Sequence, residues 1–68
     1  MRLETRLREH RQAKGLDQAE LAALVGVRRE TIGRLEKGQY NPSLKLAMDL
    51  AKVFGVTVED LFAFREED

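Results

Sequence analysis

Residues 17–38, DQAELAALVGVRRETIGRLEKG, decide the fold of this 68-residue chain. The segment begins with an N-cap at Asp17, and Glu20 stands three residues later, where a capping box needs its acid. Apolar residues recur at helical spacing until Gly26, which accepts the positive φ that a sharp turn after a helix requires. Ala22 has a side chain small enough for a second helix to cross closely. These features predict a helix that ends in a tight turn.

A second helix begins almost directly after this turn. It carries Ile32 and Leu35 on one face, directs charged side chains elsewhere and stops at Gly38. Two short helices joined by one tight turn are the helix-turn-helix unit of DNA-binding proteins. The segment is therefore predicted to be such a unit.

The sequence of this unit and its flanks resembles a known family. The pattern QAELAxxVGVxxxTIxxLExG at residues 18–38, with NPS at 41–43 and FGV at 54–56, is similar to the phage repressor and Cro family. This family is also called the xenobiotic response element family of bacterial regulators. The resemblance covers nearly the whole chain and implies a five-helix, lambda-repressor-like DNA-binding domain whose second and third helices form the helix-turn-helix.

Length and composition limit the class of protein. A chain of 68 residues is predicted to be one domain, residues 1–68. At this size folding buries only about 60% of the surface, so dimerisation would add stability. The sequence has no cysteine, no apolar run of membrane-spanning length, no signal peptide and no lipidation motif. We expect a cytoplasmic protein without disulfides and without a membrane partner.

The net charge is zero, but the charges are unevenly distributed. Residues 1–38 contain nine Lys or Arg and six Asp or Glu, a net charge of +3. Residues 39–68 contain three and six, a net charge of −3. A basic half that carries the helix-turn-helix is typical of a DNA-binding face opposite an acidic face. A solvated surface of mixed charge is the alternative interpretation.

Three more helices are predicted around the central unit. Residues 1–14 form a charge-rich helix 1 that stops at the next glycine. Helix 4 begins at a Ser43 cap and ends at Gly55, and Thr57 then caps a short helix 5. The acidic tail, residues 64–68, is expected to fray. No stretch alternates for long enough to predict a sheet, so the predicted fold is all-α.

Arg11 occupies an apolar stripe of helix 1, which is an unusual place for a charge without a partner. The family resemblance implies one: the equivalent arginine pairs with a glutamate at the position of Glu36 and ties helix 1 to the end of the recognition helix. The alternative is that both side chains face water. The pair would be structural, because removing one partner leaves the other poorly compensated.

Three side chains near the start of the second helix of the unit are candidates for reading bases. Arg29 and Arg34 can each donate to O6 and N7 of guanine, and Glu30 can accept from the amine of cytosine. A good bidentate contact of this kind discriminates between bases by about 1 to 3 kcal/mol. Alternatively, Glu30 and Arg34 form an ordinary exposed i, i+4 ion pair that contributes roughly 0.3 to 0.5 kcal/mol.

A second group of side chains is expected to contact DNA phosphates. Gln18 lies at the start of a helix, where free backbone amides favour an anion, and the family resemblance implies a DNA contact there. Arg28 departs from the Ser or Thr that relatives carry as a helix cap, but its charge can reach phosphate. Tyr40 can donate its hydroxyl or pack half-buried on helix 4. The full group is Gln18, Arg28, Lys37, Gln39, Tyr40 and Asn41.

Features of an enzyme or a metal site are missing from the sequence. His10 is the only histidine and Ser43 the only serine, and Ser43 belongs to a helix cap. No imidazole pair, thiolate or activated nucleophile is therefore available. We expect neither catalysis nor a cofactor.

Helix 4 carries an apolar face wide enough to contact a neighbour as well as its own core. Together with Met48, the aromatic residues Phe62 and Phe64 suggest a dimer face within residues 43–64. The function predicted is that of a sequence-specific, double-stranded DNA-binding transcriptional regulator, a repressor acting as a homodimer on a pseudo-palindromic operator. The competing prediction is an antitoxin or adaptor module whose main partner is another protein.

Overall fold

The computed structural model describes residues 1–66, and these form five helices and a small two-stranded sheet. The all-α prediction is therefore wrong in part. In chain order the elements are β1 (Arg2–Thr5), α1 (Leu7–Ala13), α2 (Gln18–Val25), α3 (Arg29–Glu36), α4 (Leu44–Phe54), α5 (Val58–Leu61) and β2 (Phe62–Arg65). Every helix within the described residues is too short or too polar to cross a membrane.

Side-chain caps fix where the helices begin. The Asp17 carboxylate accepts from the Glu20 backbone N–H at 2.7 Å, and the Glu20 carboxylate accepts from the Asp17 N–H at 2.9 Å, which completes a capping box. The Ser43 hydroxyl accepts from the Leu46 backbone N–H at 3.1 Å and so caps α4. Arg28 precedes α3 without a side-chain cap. At the end of α2, Gly26 has φ of +72°, as the tight turn requires.

The two strands join the ends of the described chain, where the sequence indicated helix and fraying. Helix 1 begins at Leu7 rather than at the first residue, because residues 2–5 pair with β2. The pairing is antiparallel, with Leu3 opposite Phe64 and Thr5 opposite Phe62. The last two residues of the predicted frayed tail, 67 and 68, lie outside the described residues.

One core lies between the five helices and the inner face of the sheet. Leu3 from β1 and Phe62 from β2 are buried in this core, so the sheet closes the end of the helical bundle. Leu44 and Met48 remain exposed, so α4 does not use its whole apolar face in this core. The side chains that are almost completely buried are Leu7, Leu21, Ile32, Leu35, Leu50 and Leu61.

The three residues suggested for a dimer face have different surroundings. The side chain of Phe62 is only 8% exposed and packs in the core, so it is not available for a face between subunits. Phe62 directly follows the buried Leu61 at the start of β2, whereas Phe64 lies two residues further along the same face of the strand and is exposed. Phe64 and Met48 are 55% and 48% exposed.

Replacing Phe62 tests this division between core and surface. We expect Phe62→Ala to lower the free energy of unfolding by about 3 to 5 kcal/mol, because it removes a buried ring and leaves a cavity. Phe64→Ala is the matched control and should cost much less, because its ring is more than half exposed. Chemical denaturation of both variants measures the difference. Equal losses would contradict the assignment of Phe62 to the core.

Candidate nucleic-acid interface

The helix-turn-helix pair consists of α2 and α3, which pack against each other through their apolar sides. Leu21 and Ala22 of α2 are buried, as are Ile32 and Leu35 of α3. A Cβ added to Gly33 of α3 would lie in ordinary contact with the side chain of the first residue of α2. Because α3 buries one side in this way, its other side faces outward along the whole helix.

The three candidate base readers lie on this outward side. Arg29, Glu30 and Arg34 are all exposed. Within residues 1–66 the carboxylate of Glu30 and the guanidinium of Arg34 are not in ion-pair contact, so the alternative i, i+4 salt bridge is not formed. Their donors and acceptor are therefore free to meet base edges.

Glu36 at the end of α3 is the buried centre of the region behind this surface. Its side chain is fully buried, and Arg11, which is 11% exposed, donates to it through Nε at 2.6 Å and through Nη2 at 3.2 Å. The third nitrogen of Arg11 donates to the carbonyl oxygen of Leu16 at 2.9 Å. The ion pair that the resemblance implied is therefore present, and it ties α1 to α3.

Two further donors reach the same carboxylate. Arg8 donates through Nε at 3.4 Å from an exposed position, and Gln18 donates through Nε2 at 3.1 Å. Because a carboxylate only accepts hydrogen bonds, the bond to Glu36 fixes which end of the Gln18 amide points inward. The second hydrogen on that nitrogen remains for another acceptor.

The charges of this cluster hold Glu36 ionised. Burial alone would raise the pKa of Glu36, but hydrogen bonds from Arg11 and Gln18, the positive charge of Arg11 and the bond from Arg8 lower that pKa below its ordinary range. The hydrogen bond to Glu36 likewise raises the pKa of Arg11. The ion pair is therefore fully charged at neutral pH.

The candidate phosphate contacts lie at helix starts and in the segment after α3. Gln18 is the first residue of α2, and Arg28 immediately precedes α3. Gln18 and Arg29 line one shallow concavity of about 310 Å³, together with Arg11, Asp17 and Ala19. The other candidates lie in the segment between α3 and α4, and all of them are exposed: Lys37, Gln39, Tyr40 and Asn41. Tyr40 is 41% exposed.

Two features of this region were not found from the sequence. Arg8 and Gln18 both bond Glu36, although they are 28 and 18 residues away from it in the chain. No local pattern signals such a contact. For Arg8 the sequence offers one signal: it lies three residues before Arg11, on the same face of α1.

The outward helix, the buried ion pair that holds it and the tight turn between α2 and α3 define a helix-turn-helix DNA-binding protein. A family model described as helix-turn-helix matches residues 7–61. The chain belongs to this helix-turn-helix family, of the xenobiotic response element type.

Known proteins similar to this chain agree with the assignment. An HTH-type transcriptional regulator of Archaeoglobus fulgidus is 58% identical over 66 residues, which cover 97% of this chain and 94% of the relative. Another, from Bacillus subtilis, is 39% identical over 66 residues, covering 97% of this chain and all of the relative. The restriction-modification controller protein C.AhdI of Aeromonas hydrophila superposes with a TM-score of 0.74 at 44% identity, over 81% of this chain and 83% of that one. The chain thus belongs among helix-turn-helix transcriptional regulators.

Replacing Glu36 tests the structural role of the buried carboxylate. We expect Glu36→Gln to lower the free energy of unfolding at pH 7 by about 3 kcal/mol, because Arg11 loses its counter-charge in a buried site. Asp49→Asn is the matched control. It breaks the 2.7 Å pair with Lys45, which is 86% exposed, and should cost at most about 0.5 kcal/mol.

The same variant has a defined pH dependence. Because folding lowers the pKa of Glu36, its contribution to stability is present above the unfolded-state value of about 4.3 and is lost as the pH falls through the folded-state value. The difference in unfolding free energy between wild type and Glu36→Gln should therefore shrink on acidification. A difference that stays constant from neutral to acid pH would contradict the assignment.

Proposed function

We propose that this protein binds double-stranded DNA in a sequence-specific manner and represses transcription as a homodimer on a pseudo-palindromic operator. The proposal depends most on the outward face of α3. Arg29, Glu30 and Arg34 are exposed there, and among the residues that the structure describes Glu30 forms no ion pair with Arg34. Membership of the helix-turn-helix family supports the choice of DNA as partner.

The chemistry of α3 suits the major groove of DNA. Each arginine can donate two parallel hydrogen bonds to guanine, and Glu30 can accept one from cytosine. Arg29 and Arg34 are five residues apart, so they reach different base pairs along the groove. Base reading of this kind needs a helix whose position is fixed, and the buried cluster around Glu36 supplies that support.

Contacts to the sugar-phosphate backbone would set the position of α3 in the groove. Gln18 presents its remaining amide hydrogen and lies at the start of α2, where the helix dipole favours a phosphate. Arg28 and Lys37 add positive charge at either end of α3, and the polar residues at 39–41 extend the contact beyond it. Asp17 places a carboxylate near the same phosphate, so its capping role must outweigh that repulsion.

Dimerisation is supported by apolar surface that one core does not use. Leu44 and Met48 lie four residues apart on the outer side of α4 and are 74% and 48% exposed, and Phe64 is 55% exposed. In a two-fold dimer the recognition helices lie about 34 Å apart, one turn of DNA. A repressor needs nothing further, because a dimer bound over a promoter blocks access to it.

Selection from random duplex DNA tests the proposed function. Wild-type protein at about 100 mM salt should enrich an inverted repeat with half-sites about one turn apart. Arg29→Ala and Arg34→Ala should each relax the preference at particular base pairs, by about 1 to 3 kcal/mol per lost pair of hydrogen bonds. Lys37→Ala is the control, expected to weaken binding to all sequences alike. Uniform losses for the arginine variants would contradict base reading.

Sedimentation tests the dimer separately. We expect wild-type protein at micromolar concentration, with its operator, to sediment as two copies per duplex. Met48→Glu should shift it towards the monomer, because a buried charge in an apolar interface is costly. Gln12→Glu, an added charge at an exposed position of α1, is the control. A wild-type monomer both with and without DNA would refute the dimer. Binding of another protein, in place of DNA, would favour the antitoxin or adaptor alternative.

A further inference from the structure

The turn that follows α3 lies directly against the backbone of β1. Gly38 has φ of +71°, and a Cβ added to it would lie 2.7 Å from the carbonyl oxygen of Leu3. Real Cβ atoms do not approach an atom so closely, and here the neighbour is backbone rather than the end of a flexible side chain. Only glycine therefore allows the turn and the strand to come together in this way.

The carbonyl oxygen of Leu3 thus lies against one side of a turn that is hydrogen-bonded to α3 on its other side. The N–H of Gly38 donates to the carbonyl oxygen of Leu35 at 3.1 Å, and the N–H of Gln39 donates to that of Arg34 at 2.9 Å. Lys37 and Gln39 flank the glycine and are both candidate phosphate contacts. The turn thus lies between the last residues of α3 and the first strand.

The strand is in turn held by β2. Glu4 lies opposite Ala63, and its carboxylate accepts from Nε of Arg65 at 2.5 Å. Beyond the strand, Arg6 donates through its backbone N–H to the carbonyl oxygen of Leu61 at 2.8 Å. In an antiparallel sheet, hydrogen-bonded residue pairs alternate with non-bonded pairs. Because Arg6 is bonded to Leu61, the pair of Glu4 with Ala63 is also bonded, and the pair of Leu3 with Phe64 is not. The backbone N–H and C=O groups of Leu3 therefore point away from β2.

We infer that the two-stranded sheet positions the DNA-contacting turn at residues 37–41, so that β1 and β2 are part of the DNA-binding machinery. The inference rests on the proposed function and extends it to strands that lie outside the helix-turn-helix. A turn that is already ordered in the free protein loses less conformational entropy when Lys37 and its neighbours contact phosphate. The strands act through the turn and need not contact DNA themselves.

Two glycine variants compare the close approach of the turn to β1 with left-handed strain elsewhere in the chain. Gly38→Ala forces the turn away from Leu3, whereas Gly15→Ala introduces the same kind of left-handed strain, at φ of +74°, with no atom within 4 Å of the new Cβ. Both variants are compared with wild type by titrating the selected duplex at several salt concentrations. The temperature is set where circular dichroism shows each variant to be folded.

We expect Gly38→Ala to bind DNA roughly tenfold more weakly, because hydrogen bonds to charged phosphates are lost. The slope of log affinity against log salt should decrease in magnitude by about 0.9, the value for one phosphate contact. Gly15→Ala should retain the wild-type slope. Loss of stability alone does not produce this pattern, because it lowers the fraction of folded protein without changing the number of contacts. Equal slopes for Gly38→Ala and wild type would overturn the inference.

A variant in β2 tests the strands without placing strain in the turn, and it also decides the matter if Gly38→Ala does not fold. Ala63→Pro removes a backbone N–H from the pair with Glu4 at an exposed position, without touching the turn or the core. A reduced salt slope supports the inference, and an unchanged slope overturns it. Failure of the proposed function is recognised separately, because wild-type protein would then bind no duplex DNA in the same titration.

Discussion

The fully buried carboxylate of Glu36 is the constraint on which the arrangement of the helices depends. An ionised group can remain buried only if its oxygen atoms are paired, and here the donors come from α1 through Arg11 and Arg8 and from α2 through Gln18. Because Glu36 is the last residue of α3, the three helices must meet at this point. A displacement of α3 would separate the carboxylate from its donors, so the cluster fixes the helix that we propose to read DNA.

The rest of the molecule divides into a support and a surface. The small apolar core and the sheet hold the helices from behind, while the exposed residues of α3 and of the segment after it face outward. Gln18 belongs to both parts, because its amide is anchored on Glu36 and keeps one hydrogen free for a phosphate. Gly38 also joins the two parts, through its contact with β1. The proposed DNA contacts thus rest on interactions that are already present in the free protein.

Local signals in the sequence predicted the local structure well. The capping box of Asp17 and Glu20, the Ser43 cap and the glycine ends placed α2, α3 and α4, and the family resemblance supplied the pair of Arg11 with Glu36. Contacts between distant segments were not predicted. β1 and β2 have only four residues each and lie at opposite ends of the described chain. No tight turn joins them, and neither shows a long alternation of apolar and polar residues, so the sequence does not reveal their pairing. For the same reason the sequence suggests a surface position for Phe62, although its ring lies in the core.

Amide chemical shifts of the labelled protein, followed as the selected operator duplex is added, test whether the outward face of α3 reads DNA. We expect the largest changes at Gln18, at residues 28–34 and at residues 37–41, while the exposed side of α4 around Leu44 changes little beyond the effect of dimerisation. Changes concentrated on α4 and Phe64, with residues 28–34 unaffected, would contradict DNA binding through α3. They would show that the outward face of α3 does not read DNA.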